Sequence, residues 1–196
     1  MQSLTCKPEA ARIASRIENC FRIAPLVELV KTYNVGFSIT HPTWGYDPRE
    51  RNLEREIFFI NAIGLLNVLP AGKVLFVYSK KKDREMAVAK FSSLGSDITG
   101  FPCVFSFSGR LMGEGVDGWK EKASVLIANS DIILQGGFYR GCCAKDTMDD
   151  LEKIAETIVK KEIVVVTNSL VCKRDVETVP SMQARVAYRL ENNELD

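Results

Sequence analysis

The chain has 196 residues, 46% of them hydrophobic, which suits one domain, or a core domain plus an extension, and excludes a long disordered chain. Its 26 basic and 25 acidic side chains leave a formal net charge of +1, so no global field draws it to nucleic acid or to an anionic membrane. The longest apolar runs, such as Val74 to Tyr78 and Ile163 to Val166, are strand-sized, and Lys or Arg interrupts every longer window, so no transmembrane helix is expected.

In chain order, Lys7, Glu9 and Arg12 come before any apolar stretch, so no secretory signal peptide is expected and a cytoplasmic location is. Ala10, Ile13, Ala14, Ile17, Cys20 and Phe21 recur at three and four residues, the spacing of one apolar helical face. Pro25 interrupts that pattern, Leu26 to Tyr33 resumes it, and the β-branched run Val35 to Thr40 is a strand candidate. A turn at Pro42 to Pro48 leads to a helix over Arg49 to Gly64, with Leu53, Ile57, Ile60 and Ile63 expected on its buried side.

From Gly72 onward, strand-length apolar runs alternate with amphipathic helices, the order that builds a parallel sheet. The strands are Val74 to Ser79, Cys103 to Phe107, Asp131 to Leu134 and Ile163 to Val166. The helices between them are Asp83 to Leu94, Asp117 to Ala128, and one capped near Asp146 with an apolar stripe at Met148, Leu151, Ala155 and Ile158. Pro180 opens a last helix through Met182, Val186 and Leu190, before a polar tail at 192–196. The expectation is a three-layer α/β sandwich with a mostly parallel sheet over 71–191, preceded by a mainly helical N-terminal segment, 1–70, packed on that core.

Cys6, Cys20, Cys103, Cys142, Cys143 and Cys172 lack the dense spacing of a disulfide scaffold and read as reduced thiols. His41 is the single histidine, and neither it nor the adjacent Cys142 and Cys143 completes the ligand pairs of a zinc site, so no metal and no cofactor are expected. Its place in His41-Pro42-Thr43-Trp44-Gly45 reads as a turn or surface position.

Ligands of such sheets bind outside the carboxyl ends of the strands, which directs attention to Ser79 to Lys82, Ser108 to Gly118, Gly136 to Lys145 and Thr167 to Ser169. The loop carrying Gly109, Gly113 and Gly115 follows a strand and precedes a helix, where glycines let backbone N–H groups approach a phosphate. It is neither a GxGxxG fingerprint nor a Walker A loop, and a ligand-free connection is the alternative. Gly136, Gly137 and Arg140 lie after the next strand, with Thr147 at the expected start of the following helix. Arg140 could clamp a phosphate and the N–H groups near Thr147 could face an anion. Asp149, Asp150 and Glu152 are the carboxylates at hand for acid/base or nucleophilic work, although helical phase keeps them from pointing the same way; the alternative is helix-start capping and solvation. Lys80-Lys81-Lys82 adds charge to the same edge or forms a solvated loop.

Leu111-Met112-Gly113, Lys122, Ser130-Asp131 and a strand ending in Gly136-Gly137 with acids beyond resemble the LOG or lysine-decarboxylase-like family over residues 74–169. Gln135 stands where that family has a proline, Glu121 where it has an arginine, and Phe138 to Gly141 where it has xGT. The order of elements is similar also to nucleoside 2-deoxyribosyltransferases and TIR domains. The resemblance implies a Rossmann-like fold and chemistry at a ribosyl C–N bond. It implies that Gly113, Gly136 and Gly137 hold phosphate, with Glu152 in the place of the family glutamate.

The reading that follows is a nucleotide- or nucleoside-phosphate-binding enzyme that hydrolyses or transfers across an N-glycosidic bond, with Glu152 stabilising the oxocarbenium ion or forming an adduct. Its partner is a small nucleotide or nucleoside, not nucleic acid or membrane, and a homo-oligomer is left open. Two alternatives stand beside it. One is a non-catalytic nucleotide-sensing or sequestering module; the other is an interaction protein in which the glycines are only turns.

Overall fold

In the computed structural model, the described residues are 7–43, 53–138 and 143–172. They build five strands into one all-parallel sheet of order β3-β2-β1-β4-β5, with β1 Val35–Thr40, β2 Val74–Tyr78, β3 Cys103–Phe105, β4 Ile132–Gly137 and β5 Val164–Cys172. The helices are α1 Lys7–Glu18, α2 Ile23–Thr32, α3 Leu53–Leu66, α4 Lys81–Ser93, α5 Trp119–Ala128 and α6 Cys143–Ile154. The last of these runs into a π-helical turn, Ala155–Val159, which Lys160 closes in the left-handed region at φ 57°.

Alternate residues of each strand face different layers. Val35, Phe37, Ile39, Phe76, Tyr78, Ile132 and Leu134 join one apolar core with α1 to α4, whereas Leu75, Val77, Val104, Ile133 and Val165 join a second with α5 and α6. A strand buried on both faces needs apolar side chains at most positions, the pattern of a parallel sheet covered by helices. The molecule is thus a three-layer, Rossmann-like α/β sandwich. Among the described residues, no helix is long and apolar enough to cross a membrane.

The strand candidate Val35 to Thr40 is the centre of the sheet, with β2 on one side and β4 on the other. Residue 70 is therefore no boundary of the sheet: the N-terminal segment supplies its middle strand and α1 to α3. The shorter strands expected at Asp131 to Leu134 and Ile163 to Val166 run on to Gly137 and Cys172, so Thr167 to Ser169 lies inside β5 and is not a loop. The helix expected from Pro180 and the tail at 192–196 lie outside the described residues.

Helix α3 buries part of the expected face, Ile57 and in part Ile63, and turns Leu53 and Ile60 outward. Phe58, Phe59, Ala62, Leu65 and Leu66 point inward, while Leu53 and Ile60 are each 53% exposed. The helix is apolar almost all round, so spacing alone does not choose a face; ring packing does. Phe59 meets Phe91 of α4 edge-on at 5.1 Å, and Phe58 meets Phe138 edge-on at 5.1 Å.

Asn168 shows why a polar residue belongs inside β5. Its Nδ2 donates to the carbonyls of Ile17 at 2.6 Å and Cys20 at 2.8 Å, and its Oδ1 accepts from the Leu170 N–H at 2.8 Å. The carbonyls at the end of α1 have no further turn to bond to, and this amide satisfies them from 148 and 151 residues away. Asn168→Ala removes both bonds and leaves the Ile17 carbonyl only its 3.2 Å bond from the Cys20 N–H, so it is expected to cost about 1–3 kcal/mol in urea unfolding. Hydrogen exchange should quicken in α1 more than in β1.

Candidate functional site

The chain leaves β1 outward to β2 and β3, then returns to lay β4 against the other side of β1. The crevice where such an order reverses, at the carboxyl ends of β1 and β4, is where open α/β sheets bind ligands. Thr40 of β1 is in register there with Gly137 of β4.

Gly137 has φ 103°, and a Cβ on it would fall 1.9 Å from the Thr40 carbonyl oxygen. Only glycine fits that conformation and that approach. At Gly136 an added Cβ would lie 2.7 Å from both Phe37 and the Val171 carbonyl, so this glycine admits close packing on both neighbours. Both expected phosphate-binding glycines of β4 thus have a backbone reason to be glycine.

His41 directly follows β1 and corrects the turn-or-surface reading, because it is 1% exposed. With Lys160, it is one of the two non-glycine residues at positive φ among the described residues, at φ 50°. Such strain persists only where the surroundings over-determine the position. Here its N–H donates to the Val77 carbonyl of β2 at 2.7 Å, and its ring Nε2 lies 2.8 Å from the Ser106 carbonyl beyond β3. A carbonyl can only accept, so Nε2 carries the proton and Nδ1 the lone pair. Burial pushes the imidazole pKa below its ordinary value, against the opposing pull of the Ser106 carbonyl and the Asp83 carboxylate. Asp83 is held in place by the Ser79 hydroxyl, which donates to its carboxylate, and its backbone carbonyl accepts from Thr43 Oγ1 at 3.0 Å.

A directional chain of hydrogen bonds crosses the site. Thr147 Oγ1 donates to the Gly109 carbonyl at 2.8 Å, with the Cys143 carbonyl at 3.0 Å. Thr40 Oγ1 lies 2.9 Å from Thr147 Oγ1, and Gln135 Nε2 lies 2.9 Å from Thr40 Oγ1. Because the carbonyl end can only accept, the protons run one way, from Gln135 to Thr40 to Thr147 to Gly109. The chain links β4, β1, α6 and the glycine loop.

Gly109 itself has φ 84°, and a Cβ there would meet the Cys143 carbonyl at 2.2 Å, so the loop lies tight on the start of α6. Asp150, nearly fully buried, accepts the Met112 N–H at 3.0 Å and faces Arg110 Nη1 at 3.5 Å; Arg110 Nη2 meets Asp146 at 2.8 Å. Gly113 and Gly115 lie farther out on this loop, Gly115 exposed and at φ 76°.

Sequence and structure agree on some neighbours and part on others. Gly109, Gly136, Gly137 and Thr147 come together. Thr147, however, stands in the second turn of α6, because that helix starts at Cys143, so it presents a hydroxyl and not a free N–H. Arg140 lies outside the described residues. Glu152 is exposed and borders a cavity of about 740 Å³ with Glu156, Lys160, Lys161 and Glu162, at the amino end of β5. It does not join the glycines: five residues beyond Thr147 places it about 140° round the helix. Asp149 pairs with exposed Lys145 at 2.6 Å, and Lys80, Lys81 and Lys82 stand exposed at the start of α4. Cys20, Cys103, Cys143 and Cys172 are in no disulfide, and among the described residues no group of His, Cys, Asp and Glu could hold a metal ion.

Sequence reading gave Thr40, His41, Arg110 and Gln135 no role in the site. The available signal was the β-branched run Val35 to Thr40: treated as a core strand, its carboxyl end would have led directly to Thr40 and His41.

The lowered imidazole pKa has a defined consequence for stability. The unfolded chain protonates His41 near pH 6.5, whereas the folded chain does so only at lower pH, so between these values the unfolded state binds more protons. The His41 contribution is complete above about pH 6.5 and is lost as pH falls toward the folded pKa. His41→Asn keeps a residue that tolerates positive φ and removes the titration. Urea unfolding from pH 7.5 down to 5 should show a loss in the wild type that the variant lacks. No protein-family model, curated protein or solved structure matched this chain, so the site is interpreted from its own geometry.

Proposed function

We propose that the chain binds a nucleotide or nucleoside phosphate at the carboxyl ends of β1 and β4 and acts on its N-glycosidic bond. The observation that carries this reading is the reversal of strand order between β1 and β4, with a buried polar chain and the strained His41 gathered at that point. Burying polar groups and strained backbone costs stability, and proteins keep such features mostly where function uses them.

In this reading Arg110 is the phosphate-binding cation. Its guanidinium is half exposed and has five N–H donors, so it can engage a phosphate while it bears on Asp146 and Asp150. Asp150 takes the carboxylate role that the sequence alone suggests for Glu152. It stands three residues after Thr147, on the face of α6 that meets the glycine loop. A carboxylate held there would stabilise positive charge developing on a ribosyl ring.

One observation favours a second reading, a non-catalytic nucleotide-binding module. Asp150 is 4% exposed and already accepts the Met112 N–H, which suits a carboxylate that holds the loop.

A panel of NAD, nucleoside monophosphates, deoxynucleosides and cyclic nucleotides, read by thermal shift and by mass spectrometry, tests both. A ligand at about a hundred times its Kd should raise Tm by roughly 5–10 °C. Base release that Asp150→Asn abolishes, with the shift retained, is the expected result for the enzyme; a shift without turnover selects the binding module. Arg110→Ala should weaken phosphorylated ligands more than the matching nucleosides. Absence of any shift would leave the interaction protein as the surviving reading.

A further inference from the structure

We propose that Gln135 is a specificity residue of this site, whose side-chain oxygen accepts a hydrogen bond from a hydroxyl or amino group of the bound ligand. The inference rests on the site being a nucleotide site, and it adds which chemical feature of the ligand is read and by which atom.

Three observations carry it. First, the carboxamide has one orientation. Nε2 lies 2.7 Å from the Gly136 carbonyl, which can only accept, so the nitrogen faces that carbonyl and Oε1 points away. Its second donor goes to Thr40 Oγ1 at 2.9 Å, so both amide protons are used within the protein.

Second, Oε1 is buried and has no hydrogen-bond partner, on a side chain with 0% exposure. A buried acceptor left unpaired is costly, and a donor group on a ligand would satisfy it.

Third, the side chain leans toward the crevice. Gln135 is in register with Ser38, yet it reaches Thr40, which is two residues farther along β1 and in register with Gly137. The carboxamide therefore reaches toward the last residues of both strands, where Thr40 meets Thr147 and Thr147 meets the Gly109 carbonyl.

The relay gives this atom its selectivity. Thr147 donates to Gly109, Thr40 donates to Thr147, and Gln135 donates to Thr40, so the amide cannot flip to offer a donor without breaking the chain. The site thus presents a fixed acceptor. A hydroxyl or amino donor on the ligand satisfies it, and an ether, methyl or hydrogen in the same place does not.

The test crosses protein and ligand changes. Adenosine and cytidine 5′-monophosphates each carry an amino group and two ribose hydroxyls. Each is compared with its 2′-deoxy, 3′-deoxy and N-dimethyl forms by calorimetry, on the wild type and on Gln135→Met, which keeps the length and removes the acceptor. Loss of the donor that Oε1 reads should weaken wild-type binding about tenfold or more and should leave the variant unchanged. Should Gln135→Met not fold, the side-chain amide resonances of Gln135 in labelled wild-type protein supply the same answer. They should move with the parent nucleotide and stay put with the analogue lacking that donor.

If the parent nucleotides bind and no analogue couples to Gln135, the specificity role is overturned while the nucleotide site stands. The same holds if a crystal structure of the complex shows a water on Oε1 in place of a ligand atom. If none of these nucleotides binds the wild type, the nucleotide site itself fails and takes this inference with it.

Discussion

Two backbones must meet the carboxyl end of β1 at close range, and the rest of the site depends on that meeting. β1 is buried on both faces and paired on both edges, so β2 and β4 are both laid down against it. Where it ends, β4 crowds in so closely that Gly137 has no room for a side chain, and the Thr40 carbonyl still accepts the Phe138 N–H at 3.0 Å. On the other side, the His41 N–H extends the ladder to β2 while its ring reaches past β2 to Ser106. The reversal of strand order opens a crevice above this point, and the tight backbone beneath it holds the lining residues rigidly.

The two ends of the sheet are built differently. At the amino end, Lys161 donates to the carbonyls of Ile127, Ala128 and Ser130 and meets the Asp131 carboxylate at 3.0 Å. One ammonium group thereby satisfies the end of α5 and neutralises the carboxylate that opens β4. Nearby, the Lys73 ammonium is bonded to the Asn34 side chain. These contacts close the structure. At the carboxyl end the polar groups form a relay from Gln135 through Thr40 and Thr147 to the Gly109 carbonyl.

The glycine loop illustrates how one element serves fold and site together. Leu111 anchors it in the second core, Asp150 holds its Met112 N–H, and Thr147 holds its Gly109 carbonyl. α6 therefore reaches the loop through one face, at residues 147 and 150. Glu152 falls on the opposite side, toward the amino end of β5, and that phase difference separates a carboxylate that can take part in the site from one that cannot.

The sequence by itself determined the layers. The switch from three- and four-residue spacing to strand-length apolar runs, punctuated by glycine and proline, is local information, and it carried the α/β class, the positions of β2 to β5 and the helices between them. It carried the positions of the glycines as well, although the close approaches that require Gly109, Gly136 and Gly137 are tertiary. Only the tertiary structure decided that Val35 to Thr40 is the central strand, since a short β-branched run reads the same at an edge or in the middle. It also decided how α3 is turned, because apolar residues from Ile57 to Leu66 cover most of that stretch and long-range ring packing made the choice. The site residues to which the sequence assigned no role, Thr40, His41, Arg110 and Gln135, have ordinary neighbours in the chain. Their meaning comes from partners 36 to 107 residues away, and no periodicity records a contact made across a sheet.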